Sequence, residues 1–329
     1  MKKKNTFLSK PILIIAFNRY QLLKRSFLYL KNNDFSDVWI TVDGPRKNNK
    51  DDFKEFNKIL KFCNREEIPE RKINISFKNL GCRKAVFDGI SWFFENNKSG
   101  IIIEDDIEIE RNYLIFMSYL LEKYENQSNI FSISSTFNEI GIIKQKDILT
   151  KNIFFYTPFC RVWGWATWSG RWLKHKENLK KFLSPNPFKC FMSLPKKYRT
   201  CNNAFLLAKC NNGEIDTWDY EWNFSHLFLN ALSITPNNIY SLNRGFGEKA
   251  THTSKIDEKF LNYEKFDMSP NEEKLFKNLT EDHNLINIIA KNCGFSVANF
   301  VFIELLKLTV KFILKKYSKE SSIKKWDVG

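Results

Sequence analysis

Three acidic side chains, Glu104, Asp105 and Asp106, close the run G-I-I-I-E-D-D at residues 100–106. Aliphatic residues of this kind fill buried strands, and carboxylates taken out of water at the end of one are costly unless a cation meets them. Adjacent carboxylates so placed can divide labour. One accepts hydrogen bonds from a ribose or a backbone amide, and the other, Asp106, holds a hard divalent cation, Mn2+ or Mg2+, that also takes phosphate oxygens. Such an ion offsets the charge on a diphosphate as its bond to carbon breaks. On a solvated turn the same triplet would do nothing, so its place in the fold decides its meaning.

Other candidates end neighbouring apolar runs. Asn18 and Arg19 follow P-I-L-I-I-A-F, and Asp43 follows a second run in T-V-D-G-P-R. There an arginine could meet phosphate or a base, and Asp43 could accept from a ribose hydroxyl or a base N–H, although D-G-P is also simple turn chemistry. The segment V-W-G-W-A-T-W (162–168) offers Trp163, Trp165 and Trp168. They are either core filling or platforms for the C–H faces of a sugar, with Gly164 allowing close backbone approach. In T-W-D-Y-E-W (217–222), helical spacing puts Trp218 and Trp222 on one face and makes Asp219 and Glu221 diverge.

The elements that must position these residues follow from periodicity. Strand-like runs at 11–17, 37–42, 73–78, 100–106 and 130–135 alternate with amphipathic stretches at 19–32, 52–64, 83–96 and 113–125, which is the pattern of repeated βαβ units. That pattern predicts an α/β fold whose mostly parallel sheet is flanked by helices. The acids then fall at the carboxyl ends of strands, on the rim where open α/β sheets place ligands. Residues 173–215 are basic, hold Pro185, Pro187 and Pro195, and read as a flexible or helical insertion near that rim.

Composition narrows the classes. At 43% hydrophobic and 16% aromatic, 329 residues can bury a sizeable globular core. The seven cysteines are widely spaced without a C-x-x-C pair, which suits neither a disulfide framework nor a zinc cluster and fits a reducing cytoplasm. The basic opening and short apolar run at 11–17 read as a first strand, since Asn18-Arg19 interrupts it and no cleavage pattern follows. No apolar stretch reaches the length of a spanning helix. The formal charge of +15 concentrates at the ends, in Lys2, Lys3, Lys4 and the lysines of 307–325. That distribution disfavours a nucleic-acid groove. With Glu304, Lys307, Lys311 and Lys315 on one face of an otherwise apolar helix at 297–316, it suits either packing on the core or an anionic membrane surface.

The motifs A-F-N-R (16–19), V-D-G-P-R (42–46), N-L-G-C-R-K-A-V (79–86), I-I-I-E-D-D (101–106), V-W-G-W-A-T-W, T-W-D-Y-E-W and G-F-G-E-K-A-T-H-T (245–253), in that order, resemble nucleotide-sugar glycosyltransferases of the Rossmann-like GT-A fold. They are most similar to bacterial family-2-like sugar transferases and to the N-acetylglucosaminyltransferase I group, in which E-D-D replaces D-X-D. The resemblance implies a catalytic domain over 1–255, with a donor half at about 10–135 and an acceptor half at about 136–255, followed by a basic helical extension over 256–329. It implies Arg19 and Asp43 on uridine, Asp105 on ribose or sugar, Asp106 on Mn2+ beside the diphosphate, Arg83 near phosphates or sugar, and His252 as a late contact. Asn18, Glu104 and Trp165 complete the expected donor side. An inverting mechanism needs a carboxylate base, for which T-W-D-Y-E-W supplies Asp219 or Glu221. One inserted position relative to W-D-D-W leaves both in play, with Asp219 preferred.

The function so implied is metal-dependent, inverting sugar transfer from a UDP-sugar, UDP-N-acetylglucosamine among the candidates. The acceptor would be a glycan or lipid-linked molecule of bacterial lipopolysaccharide or capsule synthesis, reached from the cytoplasm at the inner membrane face. Nucleic acid is not an expected partner. The competing readings are a nucleotide-sugar hydrolase, a Mg2+-dependent phosphohydrolase and a non-catalytic carbohydrate- or nucleic-acid-binding protein. The acidic triplet opposes the last, because it would repel a polyanion.

Overall fold

The computed structural model describes residues 10–66, 68–137, 154–184, 186–195, 201–245 and 263–267. Strands β1 (Ile12–Ala16), β2 (Val38–Val42), β3 (Ile73–Ile75) and β4 (Ser99–Glu104) alternate with helices α1 (Tyr20–Asn32), α2 (Lys50–Arg65) and α3 (Cys82–Asn96). After them come β5 (Ile107–Ile109), α4 (Arg111–Lys123), β6 (Ile130–Ser134), β7 (Phe154–Thr157) and β8 (Trp165–Trp168). Helices α5 (Ser169–Phe182), α6 (Pro187–Ser193), α7 (Cys201–Asn211) and α8 (Asp219–Phe228) precede β9 (Leu232–Pro236) and β10 (Ser241–Asn243). The eight-stranded sheet runs in the order β3-β2-β1-β4-β8-β6-β9-β7, and β10 pairs with β5 in a separate ribbon. β3, β2, β1 and β4 are mutually parallel, whereas β8 lies antiparallel between β4 and β6, and β7 antiparallel to β9. This is the expected α/β class: a mixed, mostly parallel sheet with flanking helices.

Alternation along each strand explains why both faces are covered. In β1, Ile12 and Ile14 join Ile40, Ile101 and Ile103 against one layer of helices, whereas Leu13 and Ile15 join Trp39 and Ile102 against the other. A strand apolar on both faces reads as a continuous hydrophobic run, as I-L-I-I-A does. The second layer is closed by Trp165, Trp172, Trp218 and Trp222, with Trp165 and Trp222 fully buried. Each such side chain contributes on the order of 1.5–3 kcal/mol or more by leaving water.

Helix starts are chemically specified. Asn49 accepts from the backbone N–H groups of Asp51 and Asp52 at 3.1 Å each, and those two acids sit where the helix dipole favours negative charge. Asn186 caps α6 ahead of Pro187, so the proline-bearing stretch, read as a flexible or helical insertion, forms helices α5, α6 and α7. Residues 263–267 lie past the expected boundary at 255 yet pack on the core. Phe266 is buried against Tyr113, Phe116 and Tyr240, and the Glu264 N–H donates to the Ile239 carbonyl at 2.9 Å. Most of the expected extension, including 297–316, lies outside the described residues. No helix among those described is long and apolar enough to cross a membrane.

Candidate functional site at the strand-end rim

Parallel pairing carries the acids to one edge. Backbone bonds continue the ladders one residue past the strands, with Asp43 N–H donating to Ala16 at 3.0 Å and Asp105 N–H to Ile15 at 2.9 Å. Asp43, Asp105 and Arg19 therefore emerge side by side from β2, β4 and the end of β1. The triplet meets its cation within the chain. The Arg19 guanidinium is forked across two carboxylates, one Nη on Asp105 and the other on Asp106 at 2.8 Å. Asp105 is 1% exposed and Asp106 8%, and each keeps one buried oxygen, Asp105 Oδ2 and Asp106 Oδ1, without a hydrogen-bond partner. Burial opposes the charge on Arg19, yet the two carboxylates hold its pKa above the ordinary value. Burial pushes Asp105 upward against the pull of Arg19, and burial with Asp106 and Asp105 pushes Glu104 upward.

Gly245 covers this group from the other side. A Cβ there would stand 2.0 Å from Asp106 Oδ2 and 3.0 Å from Arg19 Nη1, so only glycine leaves the pair undisturbed. The preceding Arg244 N–H donates to the Asp106 carbonyl at 2.8 Å, fixing the acid's backbone.

Asp43 is held rather than free. Its Oδ1 accepts from the N–H groups of Gly44 at 2.8 Å and Leu80 at 2.9 Å, and Oδ2 from the Asn79 side chain at 2.9 Å. Burial raises its pKa and the backbone donors oppose the rise. Beside it opens a cavity of ≈ 140 Å³ whose lining includes Ile15, Ala16, Val42, Asp43, Leu80 and Asp88. Asn18 turns elsewhere: it donates to Asp52 at 2.7 Å, and Asp52 also takes the Arg46 guanidinium at 2.6 Å and 2.9 Å. Asn18 thus braces the loop after β1 to α2, while Arg46 ties the loop after β2 to the same acid.

The T-W-D-Y-E-W segment divides as helical spacing requires. Trp218 and Trp222 point into the core, where Trp165 stacks on Trp218 at 5.6 Å and meets Trp222 at 5.0 Å. Glu221 is 3% exposed and ion-paired to Arg83, whose other Nη donates to the Cys210 carbonyl at 3.1 Å. Asp219, the first residue of α8, takes a hydrogen bond from the Thr217 hydroxyl. Its charge contributes to the upward shifts of Glu104 and Cys82, so it lies within electrostatic reach of that rim. The Cys82 thiol, pushed up to about 12 by burial and then by Glu104, Asp216, Asp219 and Asp43, marks where those four acids converge.

Of the expected site residues, Arg19, Asp43, Glu104, Asp105, Asp106 and Asp219 come together. Arg83 is engaged with Glu221 and with the Cys210 carbonyl of α7, and Trp165, with 0% exposure, has no face open to a ligand. His252 lies outside the described residues. Three residues of the rim were not singled out from sequence: Asn79, Asp216 and Gly245. Asp216 accepts from the N–H groups of Cys82 at 2.8 Å and Arg83 at 2.9 Å, capping α3 from 134 residues away in the chain. Nothing local in the sequence signals that contact, whereas Gly245 lies in the G-F-G motif.

No protein-family model matches the chain, and no curated protein matches its sequence. Among solved structures it is similar to the mannosyltransferase PcManGT from Pyrobaculum calidifontis in complex with GDP-Man and Mn2+. That match has 11% identity and a TM-score of 0.36, and covers 67% of this chain and 69% of the other.

Proposed function

We propose that this chain is a glycosyltransferase of the GT-A type that takes a nucleoside-diphosphate sugar, a UDP-sugar first among the candidates, and transfers the sugar to a hydroxyl acceptor. The observation that carries the reading is the convergence on one strand-end rim of Arg19, Asp43, the Glu104–Asp106 triplet and Asp219, with two deeply buried carboxylate oxygens left unpartnered. Buried carboxylate oxygens are ordinarily paired, so these two invite a cation.

The residues present fit a divalent ion. Oxygen donors suit Mn2+ and Mg2+, and Asp106 would hold the ion through its unpartnered oxygen. Among the described residues no three His, Cys, Asp or Glu side chains form a metal cage. That suits an ion that takes one or two protein oxygens and fills its shell with phosphate and water. When bound, such an ion neutralises the departing diphosphate. Asp43 and the adjoining cavity would receive the nucleoside. Asp219 serves as general base: it takes the proton from the acceptor hydroxyl as that oxygen bonds to the anomeric carbon and the carbon–diphosphate bond breaks. Attack from the face opposite the nucleotide inverts the anomeric centre. Glu221 is not the base, because Arg83 holds it inside the fold. The acceptor is a glycan or a lipid-linked molecule, the latter met at an anionic membrane surface.

Product analysis with a panel of UDP- and GDP-sugars, with and without Mn2+ and with sugar acceptors, tests this. Metal-dependent transfer with inversion is expected. Release of free sugar at the same rate with or without acceptor would make the chain a hydrolase instead, and absence of turnover or nucleotide binding across the panel would end the reading.

A further inference from the structure

Arg19 sits on Asp106 Oδ2, beside the oxygen left for the expected cation. Its two Nη groups are spent on Asp105 and Asp106, although a saturated arginine–carboxylate pair would leave no buried oxygen unpaired, and here two remain. Two buried acids share one guanidinium, with Glu104 next to them in the chain. The acids are fixed through their backbones: Asp105 N–H is bound to Ile15, its carbonyl accepts from the Ser26 hydroxyl at 2.8 Å, and the Asp106 carbonyl is held by Arg244 N–H. The cation, in contrast, sits at the end of a long side chain that keeps 22% of its surface open to solvent, against 1% for Asp105. The acids are rigid and the arginine has a way out.

We propose that Arg19 is a resident counter-ion that competes with the divalent cation for Asp106, so that the chain sets its own affinity for bare metal low. This rests on the cation-site reading above and goes beyond it, assigning Arg19 to the acids rather than to the nucleobase. A diphosphate gives the displaced guanidinium a new partner. Metal and nucleoside diphosphate therefore bind with positive cooperativity, each favouring release of Arg19 from Asp106.

The test titrates Mn2+ alone into the full chain, following free Mn2+ by electron paramagnetic resonance and unfolding by thermal shift. Arg19→Met is expected to bind Mn2+ about tenfold or more tightly than the unsubstituted chain, from loss of one unit of opposing charge at contact distance. Its melting temperature should fall in chelator and recover with Mn2+. Arg19→Lys, whose single ammonium cannot fork across two carboxylates, should show intermediate affinity, and it decides the question if Arg19→Met does not fold. Adding Asp106→Asn to either variant should erase the gain. Unchanged or weaker Mn2+ affinity in the foldable variants, or a fall in melting temperature that Mn2+ does not restore, overturns the proposal. Tight Mn2+ binding by Arg19→Met in a chain that binds no nucleotide would leave the counter-ion standing and remove the transferase.

Discussion

Removing Arg83 while leaving Glu221 in place should expose the energetics of the joint between α3 and α8. Glu221 has a side chain 4% exposed, and Arg83 keeps 30% of its own open to solvent. Breaking a buried pair from one side costs about 3–5 kcal/mol, and the partial exposure of Arg83 places this pair near the lower end, at about 3 kcal/mol. Arg83→Met should thus lower the urea midpoint by roughly 1 M in a chain of this size. Replacing both partners, as Arg83→Met with Glu221→Leu, leaves no unpaired charge and should recover about 2 kcal/mol, since coupled neighbours are non-additive. The loss must also depend on pH. Burial already raises the Glu221 pKa against the pull of Arg83, and without Arg83 it rises further. A folded-state pKa above the unfolded value means that the native chain binds the extra proton. The Arg83→Met deficit should therefore shrink as pH falls toward the unfolded carboxylate value, grow as pH rises from there, and level off above the raised pKa. Strictly additive single and double losses, with a deficit flat in pH, would refute the buried-pair account.

Further outcomes follow from other contacts. Gly245→Ala places a methyl group 2.0 Å from Asp106 Oδ2 and should cost about 1–3 kcal/mol of stability while weakening Mn2+-dependent nucleotide binding, measured by thermal shift and calorimetry. His175 and His226 are buried, and burial lowers them to about 3 and about 4. His226 Nδ1 donates to the Trp222 carbonyl at 2.9 Å and its Nε2 accepts from Ser132 at 2.8 Å. Both remain neutral in the fold, so their contribution is complete above the unfolded value of about 6.5 and is lost as pH falls toward 4, at about 1.4 kcal/mol per unit for each. Urea midpoints at pH 7.5 and 5 should show the drop, with a smaller slope in His175→Gln. Trp165→Phe should reduce the melting temperature and leave nucleotide affinity unchanged, because Trp165 lies inside the aromatic cluster.

Local pattern carried the first half of the fold. Runs such as I-L-I-I-A and V-W-I-T-V have one reading as fully buried parallel strands, and the helices between them bear strong periodicity and, in α2, a good cap. The rim followed, since parallel strands end on one side and Asp43 and the triplet lie just past them. The partners of those acids were less legible. Arg19 was placed on a nucleotide, yet it grips Asp105, 86 residues away, and Arg83 grips Glu221, 138 residues away. Such pairings depend on which elements the sheet order makes neighbours, and β8, inserted antiparallel between β4 and β6, had no periodic signal of its own. The tryptophans gave both readings equally from sequence, because an aromatic at mixed spacing can stack on a sugar or fill volume. Burial, set by the position of α8, assigned Trp165, Trp218 and Trp222 to the core.

In the proposed transferase, Asp106 and Asp219 serve different steps at one rim. Isothermal titration of UDP- and GDP-sugars with Mn2+ into Asp106→Asn and Asp219→Asn, paired with product analysis of the same samples, tests it most directly. Asp106→Asn should lose metal-dependent nucleotide binding and with it transfer, whereas Asp219→Asn should bind donor with near-unchanged affinity and transfer at least about a hundredfold more slowly. Undiminished Mn2+-dependent binding by Asp106→Asn, or unimpaired transfer by Asp219→Asn, would contradict it.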